Sequence, residues 1–271
     1  MKTPWRYGAM AAIALASALL ALTGLLASAT SAPAHRRPAA RAVSADARVL
    51  KVVGLGDSVP AGAACHCTPF VEQLADELQQ ATRSEPRIVT DNEGSGGQTS
   101  RGLLAQVHRE GRTADADAVT LVTIGANDFD PALLQRIQCQ GARTLGCYRA
   151  ALVAMGRNVR STLALLRPGP KASGPVLVTG YWNVFLDGAA ALAQGRAYVR
   201  DSDTLTRAVN DELRGAAASA GASYVDLYAA FKAAGDDTAL LAADGDHPSA
   251  SGHALITRAL KQSLGPLLRS P

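Results

Sequence analysis

The chain has 271 residues, of which 48% are hydrophobic, and a formal net charge of +4 at pH 7. Residues 1–48 carry six Lys or Arg and one Asp, so the rest of the chain has a formal charge near −1. A nearly neutral body lacks the basic surface that phosphate backbones attract, which excludes nucleic acid as an expected partner.

The first segment is typical of an exported protein. Lys2 and Arg6 precede an uncharged run rich in Ala and Leu over residues 7–34, and Ala27-Ser28-Ala29 provides small residues for cleavage. We therefore predict a signal peptide over residues 1–34 and a secreted, extracellular protein. An uncleaved anchor helix is the alternative, because the run is close to the roughly 20 residues that span a bilayer.

A second segment, residues 35–48, is rich in Ala, Pro, Arg and Ser and shows no periodicity. This composition predicts a disordered linker. The remaining residues, 49–271, are long enough for one α/β domain with a substantial core.

In this domain, short apolar runs alternate with longer amphipathic stretches. Strands are predicted over Val49–Leu55, Arg87–Asp91, Ala118–Ile124, Val176–Gly180 and Ser223–Leu227. Helices are predicted over Thr68–Ala81, Thr99–Arg109, Tyr148–Leu166, Ser202–Ala220 and Ser249–Leu264. The third strand is nearly all apolar, as expected of a strand that is buried on both faces. The alternation indicates βαβ units and a five-stranded parallel sheet with helices on both sides.

All strands of such a sheet direct their carboxyl ends to one edge, where ligands bind. Ser58 follows the first strand, a glycine-rich stretch at 91–99 follows the second, and Asn127 follows the third. Unshielded backbone N–H groups and a side-chain amide can donate hydrogen bonds to a developing negative charge. Taken one at a time, these residues are also ordinary turn residues.

A base and an acid lie together near the end of the chain. Asp244 precedes His247 by three residues, and Pro248 restricts the same loop. A serine hydroxyl is a poor nucleophile at neutral pH, so Ser58 needs a neighbouring base such as His247. Asp246 competes with Asp244 for the imidazole, but its adjacent position gives it a poorer reach around the turn.

The order of these motifs resembles the SGNH (GDSL) hydrolase family: Gly-Asp-Ser, then Gly, then Gly-x-Asn-Asp, then Asp-x-x-His-Pro. The resemblance extends over about Val49–Leu264. It implies a flavodoxin-like three-layer α/β/α sandwich and ester hydrolysis. By position it makes Ser58 the nucleophile, His247 the base and Asp244 the acid that orients the base.

The resemblance also implies an oxyanion hole. Its donors would be the backbone N–H groups of Ser58 and Gly97 and the side chain of Asn127, with Gly96 as the alternative to Gly97. The G-x-S-x-G pattern of the larger α/β-hydrolase fold is absent from the sequence, as are a Walker loop and a dinucleotide fingerprint. We expect neither a cofactor nor a metal.

The four cysteines all lie in the predicted domain, at Cys65, Cys67, Cys139 and Cys147. An even number in an oxidising compartment predicts disulfides, although three connectivities are possible. Pairing Cys139 with Cys147 closes a short loop without strain and leaves Cys65 and Cys67 as a tight local bridge or a reducible pair. A zinc site with His66 is the alternative, but it lacks a second Cys-x-x-Cys or His-x-x-x-His partner.

Aromatic residues near the same edge suggest where the substrate binds. Phe129, Trp182 and Phe185 could form an apolar groove for an acyl chain, although they could equally seal the core. The expected function is an esterase or lipase that acts on a small-molecule or lipid ester, as a monomer with at most transient contact with a lipid surface. Alternatives are a carbohydrate deacetylase, an acyltransferase with the same three residues, and a catalytically silent binding domain.

Overall fold

The computed structural model describes residues 49–82, 86–167 and 174–267. The predicted signal peptide and linker lie outside the described residues. Among the helices that are described, none has both the length and the hydropathy to span a membrane.

The centre of the domain is one sheet of five parallel strands. The strands are β1 (Val49–Gly56), β2 (Arg87–Gly94), β3 (Ala118–Thr123), β4 (Val176–Thr179) and β5 (Ser223–Val225). Their order across the sheet is β2-β1-β3-β4-β5, and every residue of β3 and β4 is buried. Since β1 and β3 are neighbours, the segments that follow them emerge side by side.

Helices cover the sheet on both sides. They are α1 (Phe70–Thr82), α2 (Ser100–Glu110), α3 (Thr144–Leu166), α4 (Gly188–Ala193), α5 (Arg196–Ser219), α6 (Leu227–Lys232) and α7 (Ala250–Leu267). Helix α3 packs against α2 and α5, whereas α7 packs against α1 and α6, so the helices form two groups. The predicted α/β fold, a five-stranded parallel sheet between two helical layers, is confirmed.

The structure differs from the sequence prediction mainly at the ends of elements. Strand β2 continues past Asp91 to Gly94, because an edge strand can pair with β1 without apolar side chains. Helices α3 and α5 begin at Thr144 and Arg196, earlier than predicted, and the added first turn of α5 buries Tyr198. The short helices α4 and α6 are absent from the prediction, since six residues carry too little periodicity to be recognised.

Candidate active site

Ser58 lies in the turn that follows β1. At the end of the strand, Gly56 has a φ of 131°, and a Cβ there would lie 1.8 Å from the backbone oxygen of Thr123 on β3. The N–H of Asp57 donates to the same oxygen at 3.0 Å. The N–H of Ala63 donates to the backbone oxygen of Ser58 at 3.0 Å, which closes the turn. The pairing of β1 with β3 therefore fixes the position of the serine.

Ser58 and His247 meet although 189 residues separate them. The Ser58 Oγ lies 2.8 Å from His247 Nε2, and His247 Nδ1 lies 2.8 Å from Asp244 Oδ2. The imidazole is largely shielded, with 19% of its side chain exposed. The three groups form one hydrogen-bonded chain, which is the arrangement that lets a base take the proton of a serine.

The loop before α7 holds the two acids near His247 differently. Asp244 Oδ1 accepts the backbone N–H groups of Asp246 and His247, each at 3.1 Å. Burial raises the pKa of Asp244, but the hydrogen bonds from His247 and Asp246 outweigh it and leave the pKa below its usual value. Asp246 Oδ2 is 3.8 Å from His247 Nδ1, too far for a hydrogen bond.

Two segments can supply hydrogen-bond donors for an oxyanion. The turn closed by the N–H of Gln98 on the oxygen of Ser95, at 3.1 Å, contains Gly96 and Gly97, the latter with a φ of 76°. Within the described residues, the N–H groups of both glycines make no hydrogen bond. The Asn127 side chain donates to the Gln98 oxygen at 3.0 Å, which leaves its second amide hydrogen for another acceptor.

Hydrogen bonds to the start of α2 hold the loop that carries Asn127. Asp128 accepts the backbone N–H of Ser100 at 2.8 Å and its hydroxyl at 2.7 Å. Thr99 is the N-cap of α2, and the Asp128 carboxylate accepts the first N–H of that helix, so it ties the segment after β3 to the start of α2. The turn with Ser58 is held similarly, because the amide of Asn92 donates to the Pro60 oxygen at 2.8 Å.

A buried pair beneath Ser58 is absent from the sequence interpretation. Asp57 is 1% exposed and Tyr181 is fully buried, and the Tyr181 hydroxyl donates to the Asp57 carboxylate. Burial raises the pKa of Asp57 to about 7, although hydrogen bonds from Tyr181 and the Val59 N–H lower it. Tyr181 follows β4 by two residues, as Ser58 follows β1. Its place at the carboxyl end of a strand is therefore the signal by which the sequence could have identified it.

A cavity of about 440 Å³ opens beside Asn127. Phe129 and Phe185 line it, with ring centroids 5.7 Å apart in an edge-to-face arrangement. The structure does not place Trp182 in this wall. The Trp182 ring is fully buried and stacks on Phe231, with ring centroids 4.6 Å apart, so it belongs to the hydrophobic core.

Both cysteine pairs considered from the sequence are brought together. Cys139 and Cys147 lie at disulfide distance, with a Cα–Cα separation of 5.7 Å, and the pair joins the segment after the cavity wall to the first turn of α3. Cys65 and Cys67 are also paired, with a Cα–Cα separation of 5.1 Å.

The histidine near the second pair is not the one that the sequence suggested. A ring nitrogen of His253, not of His66, lies within 4.8 Å of the sulfurs of Cys65 and Cys67. His253 is fully buried, its Nδ1 accepts the Phe70 N–H at 3.3 Å, and burial lowers its pKa to about 4. With Nδ1 as an acceptor, the neutral ring carries its proton on Nε2, so neither nitrogen is free to ligate a metal.

Comparisons with known proteins give one family match and a set of similar structures. Residues 55–255 match the profile of the GDSL-like Lipase/Acylhydrolase family, and no curated protein matches the chain. Among solved structures, the chain is similar to the lipase Lip_vut3 from a goat rumen metagenome, with a TM-score of 0.59 at 20% identity over 79% of this chain and 97% of that one.

Two further structures have comparable similarity. A catalytic mutant of Axe2, an acetylxylan esterase from Geobacillus stearothermophilus, has a TM-score of 0.56 at 19% identity over 80% of this chain and 94% of its own. LAE5, an alpha/beta hydrolase enzyme from the metagenome of Lake Arreo, Spain, has a TM-score of 0.56 at 20% identity over 80% and 96%. At such identities these structures establish a shared fold.

Proposed function

The chain belongs to the GDSL-like lipase/acylhydrolase family, and from this premise we propose that it hydrolyses carboxylic esters with Ser58 as the nucleophile. His247 is the general base and Asp244 orients it. The observation that carries the proposal is the unbroken series of 2.8 Å contacts from Ser58 Oγ through the imidazole to Asp244 Oδ2.

The reaction follows from these contacts. Ser58 Oγ attacks the carbonyl carbon of the ester while His247 Nε2 takes the hydroxyl proton. The bond from that carbon to the alcohol oxygen then breaks, and His247 returns the proton to the leaving alkoxide. Water next attacks the acyl-serine and gives its proton to His247. The carboxylic acid departs, and the imidazole returns the proton to the Ser58 oxygen.

Asp244 acts on the ring throughout. Because the pKa of Asp244 is low, its carboxylate remains ionised and stabilises the imidazolium that forms in each step. The backbone hydrogen bonds to its Oδ1 leave Oδ2 to face Nδ1, which fixes the tautomer with Nε2 unprotonated toward Ser58.

The negative charge on the tetrahedral intermediate needs donors. In the proposal these are the N–H groups of Ser58 and Gly97 and the free amide hydrogen of Asn127. The hydrogen bond from Asn127 to Gln98 supports this role, since it holds the two donor segments together before substrate binds.

One structural relative lends further support. Three Axe2 variants described as catalytic mutants replace a serine, an aspartate and a histidine, with the aspartate three positions before the histidine. Asp244 and His247 have the same spacing.

We propose that the substrates are esters with acyl groups of modest length. The cavity beside Asn127 has a volume of about 440 Å³, within the range of sites for small molecules. Deacetylation of a carbohydrate is the second candidate, because the similar structures include an acetylxylan esterase.

The test compares p-nitrophenyl esters from acetate to palmitate with acetylated xylan, for the wild type and Ser58→Ala. We expect the wild type to hydrolyse the shorter nitrophenyl esters fastest and the variant to lose activity on all of them. Faster release of acetate from xylan would establish the second candidate. No turnover by a folded wild type would overturn the proposal, and transfer to added glycerol in excess of hydrolysis would identify an acyltransferase.

A further inference from the structure

The cavity beside the candidate active site is lined by one carboxylate, that of Asp246, among the described residues. Its wall is mostly apolar, formed by residues that include Phe129, Pro131, Val184 and Phe185. Asp246 also lines it, and no Lys, Arg or His is among the described residues of the wall. A cation in this cavity would therefore meet one carboxylate and no opposing positive charge in the part of the wall that the structure describes.

The Asp246 carboxylate has no hydrogen-bond donor among the described residues. The nearest positively chargeable atom is His247 Nδ1 at 3.8 Å, and this nitrogen is bonded to Asp244 at 2.8 Å. The Trp182 indole N–H binds the backbone oxygen of Asp246 at 3.2 Å, which holds the loop and leaves the carboxylate unpaired. The Asp246 side chain is 42% exposed at the mouth of the cavity, and its partial burial raises its pKa, a shift that a bound cation would reverse.

Aromatic rings stand in the same wall. Phe129 and Phe185 are about 5% and 6% exposed and meet edge to face. Tyr198 also lines the cavity, and its hydroxyl donates to the Phe185 backbone oxygen at 2.9 Å, which fixes the ring. Aromatic rings that line a cavity together with a carboxylate are surroundings in which proteins bind alkylammonium groups.

We propose that this cavity selects esters that carry an ammonium group, held by the Asp246 carboxylate and by the rings of Phe129, Phe185 and Tyr198. The inference rests on the proposed ester hydrolysis and names the substrate class of that site. The ammonium group lies either in the acyl part or in the alcohol part of the ester, since the recognising chemistry is the same for both.

The main experiment uses two pairs of esters, each matched in shape. The alcohol pair is butyrylcholine and 3,3-dimethylbutyl butyrate, and the acyl pair is p-nitrophenyl 4-(trimethylammonio)butanoate and p-nitrophenyl 5,5-dimethylhexanoate. We expect kcat/KM to be about tenfold higher for the cationic member of one pair, the size of a favourable cation–aromatic and charge contact. The preferred pair identifies which part of the substrate enters the cavity.

Asp246→Asn keeps the size of the side chain and removes its charge. We expect this variant to lose the preference, which is measured as the ratio of kcat/KM between the cationic and the uncharged member of each pair. Asp76→Asn, an exposed position on α1, removes the same charge elsewhere and should retain the preference. Raising the salt concentration should weaken the preference in the wild type.

Equal kcat/KM for both members of both pairs would overturn the inference, and so would an undiminished preference in Asp246→Asn. A uniform loss on all four esters in that variant would mean that Asp246 serves the imidazole only, and would also overturn it. Calorimetric titration of Ser58→Ala with choline and with 3,3-dimethylbutanol keeps the two proposals apart. Tighter binding of choline, without turnover of any ester by the wild type, would support the cation site and reject the hydrolysis.

Discussion

Asp57 and Asp244 both belong to the surroundings of the Ser58–His247 pair, yet their environments differ. Asp57 is 1% exposed, and its pKa is raised to about 7. The Asp244 side chain is 40% exposed, accepts the His247 ring and two backbone N–H groups, and has a pKa below its usual value.

The difference shows how burial assigns the two carboxyl groups to different roles. Burial without a cation favours a neutral carboxyl, so Asp57 contributes packing and hydrogen bonds beneath the nucleophile. Three hydrogen-bond donors and partial exposure favour the ionised form, which is the form that can stabilise an imidazolium. Substitution of the exposed Asp244 should therefore lower activity, whereas substitution of the buried Asp57 should change stability.

The largest expected effect is on the exposed side. Asp244→Asn should lower kcat by about 10⁴, because the amide favours the wrong tautomer of His247. The melting temperature should change little, since the side chain is 40% exposed. Steady-state kinetics on p-nitrophenyl butyrate and a thermal melt measure both quantities. The matched control is Asp246→Asn, and an equal loss of kcat in the two variants would contradict the assignment of the orienting acid.

A smaller loss of kcat is expected when Asn127, the proposed side-chain donor to the oxyanion, is replaced. Asn127→Ala should lower kcat by about 10²–10³ with little change in KM, because the amide is needed mainly in the transition state. Asn158→Ala provides the control, since Asn158 also bonds to this region through the Ser100 hydroxyl, at 3.0 Å, without reaching the site. If both variants lost the same activity, Asn127 would be a structural residue.

On the buried side the expected effect is on stability and depends on pH. A raised pKa in the folded state means that the contribution of Asp57 is full below pH 3.8, its unfolded value, and is lost as the pH rises toward 7. The free energy of unfolding of the wild type, minus that of Asp57→Asn, should therefore fall by a few kcal/mol from pH 4 to pH 7. Urea unfolding at several pH values measures it.

His253 acts in the opposite sense in this pH range. Its pKa is lowered to about 4, so its contribution is lost as the pH falls from the usual histidine value of 6.5. Both the wild type and Asp57→Asn contain His253, so its contribution cancels when their free energies of unfolding are subtracted. A difference that is constant with pH would show that Asp57 is ionised in the folded state throughout.

The smallest expected effect is that of the hydroxyl beneath the nucleophile. Tyr181→Phe should lower the free energy of unfolding by about 1–3 kcal/mol, because the Asp57 carboxyl loses a donor in a site that water does not reach. Tyr228→Phe removes a hydroxyl from a partly exposed ring and should cost less. Denaturant melts of the two variants give the comparison, and equal losses would contradict it.

The sequence was informative wherever a residue type and its place after a strand both carried meaning. Ser58 and Asn127 follow this rule. His247 is identified instead by its spacing to Asp244 and Pro248 before the last helix, and the structure brings it into contact with Ser58. Tyr181 and Trp182 lie in an equally telling place, but an aromatic residue there fits either a core or a cavity, and only packing decides between them.

Other features depend on contacts between distant parts of the chain. The bond from the Phe70 N–H to His253 joins residues 183 positions apart, so local patterns did not reveal the histidine near Cys65 and Cys67. The sequence presents Asp246 only as a rival to Asp244, because its position in the cavity wall depends on how the loop before α7 folds.

The clash that any side chain at Gly56 would make with Thr123 has a consequence for divergence within this scaffold. No side chain fits at Gly56, so new substrate preferences should arise in the cavity wall, where Phe129 and Phe185 lie on separate connections. A library for altered selectivity would therefore randomise those connections and leave the β1 turn untouched.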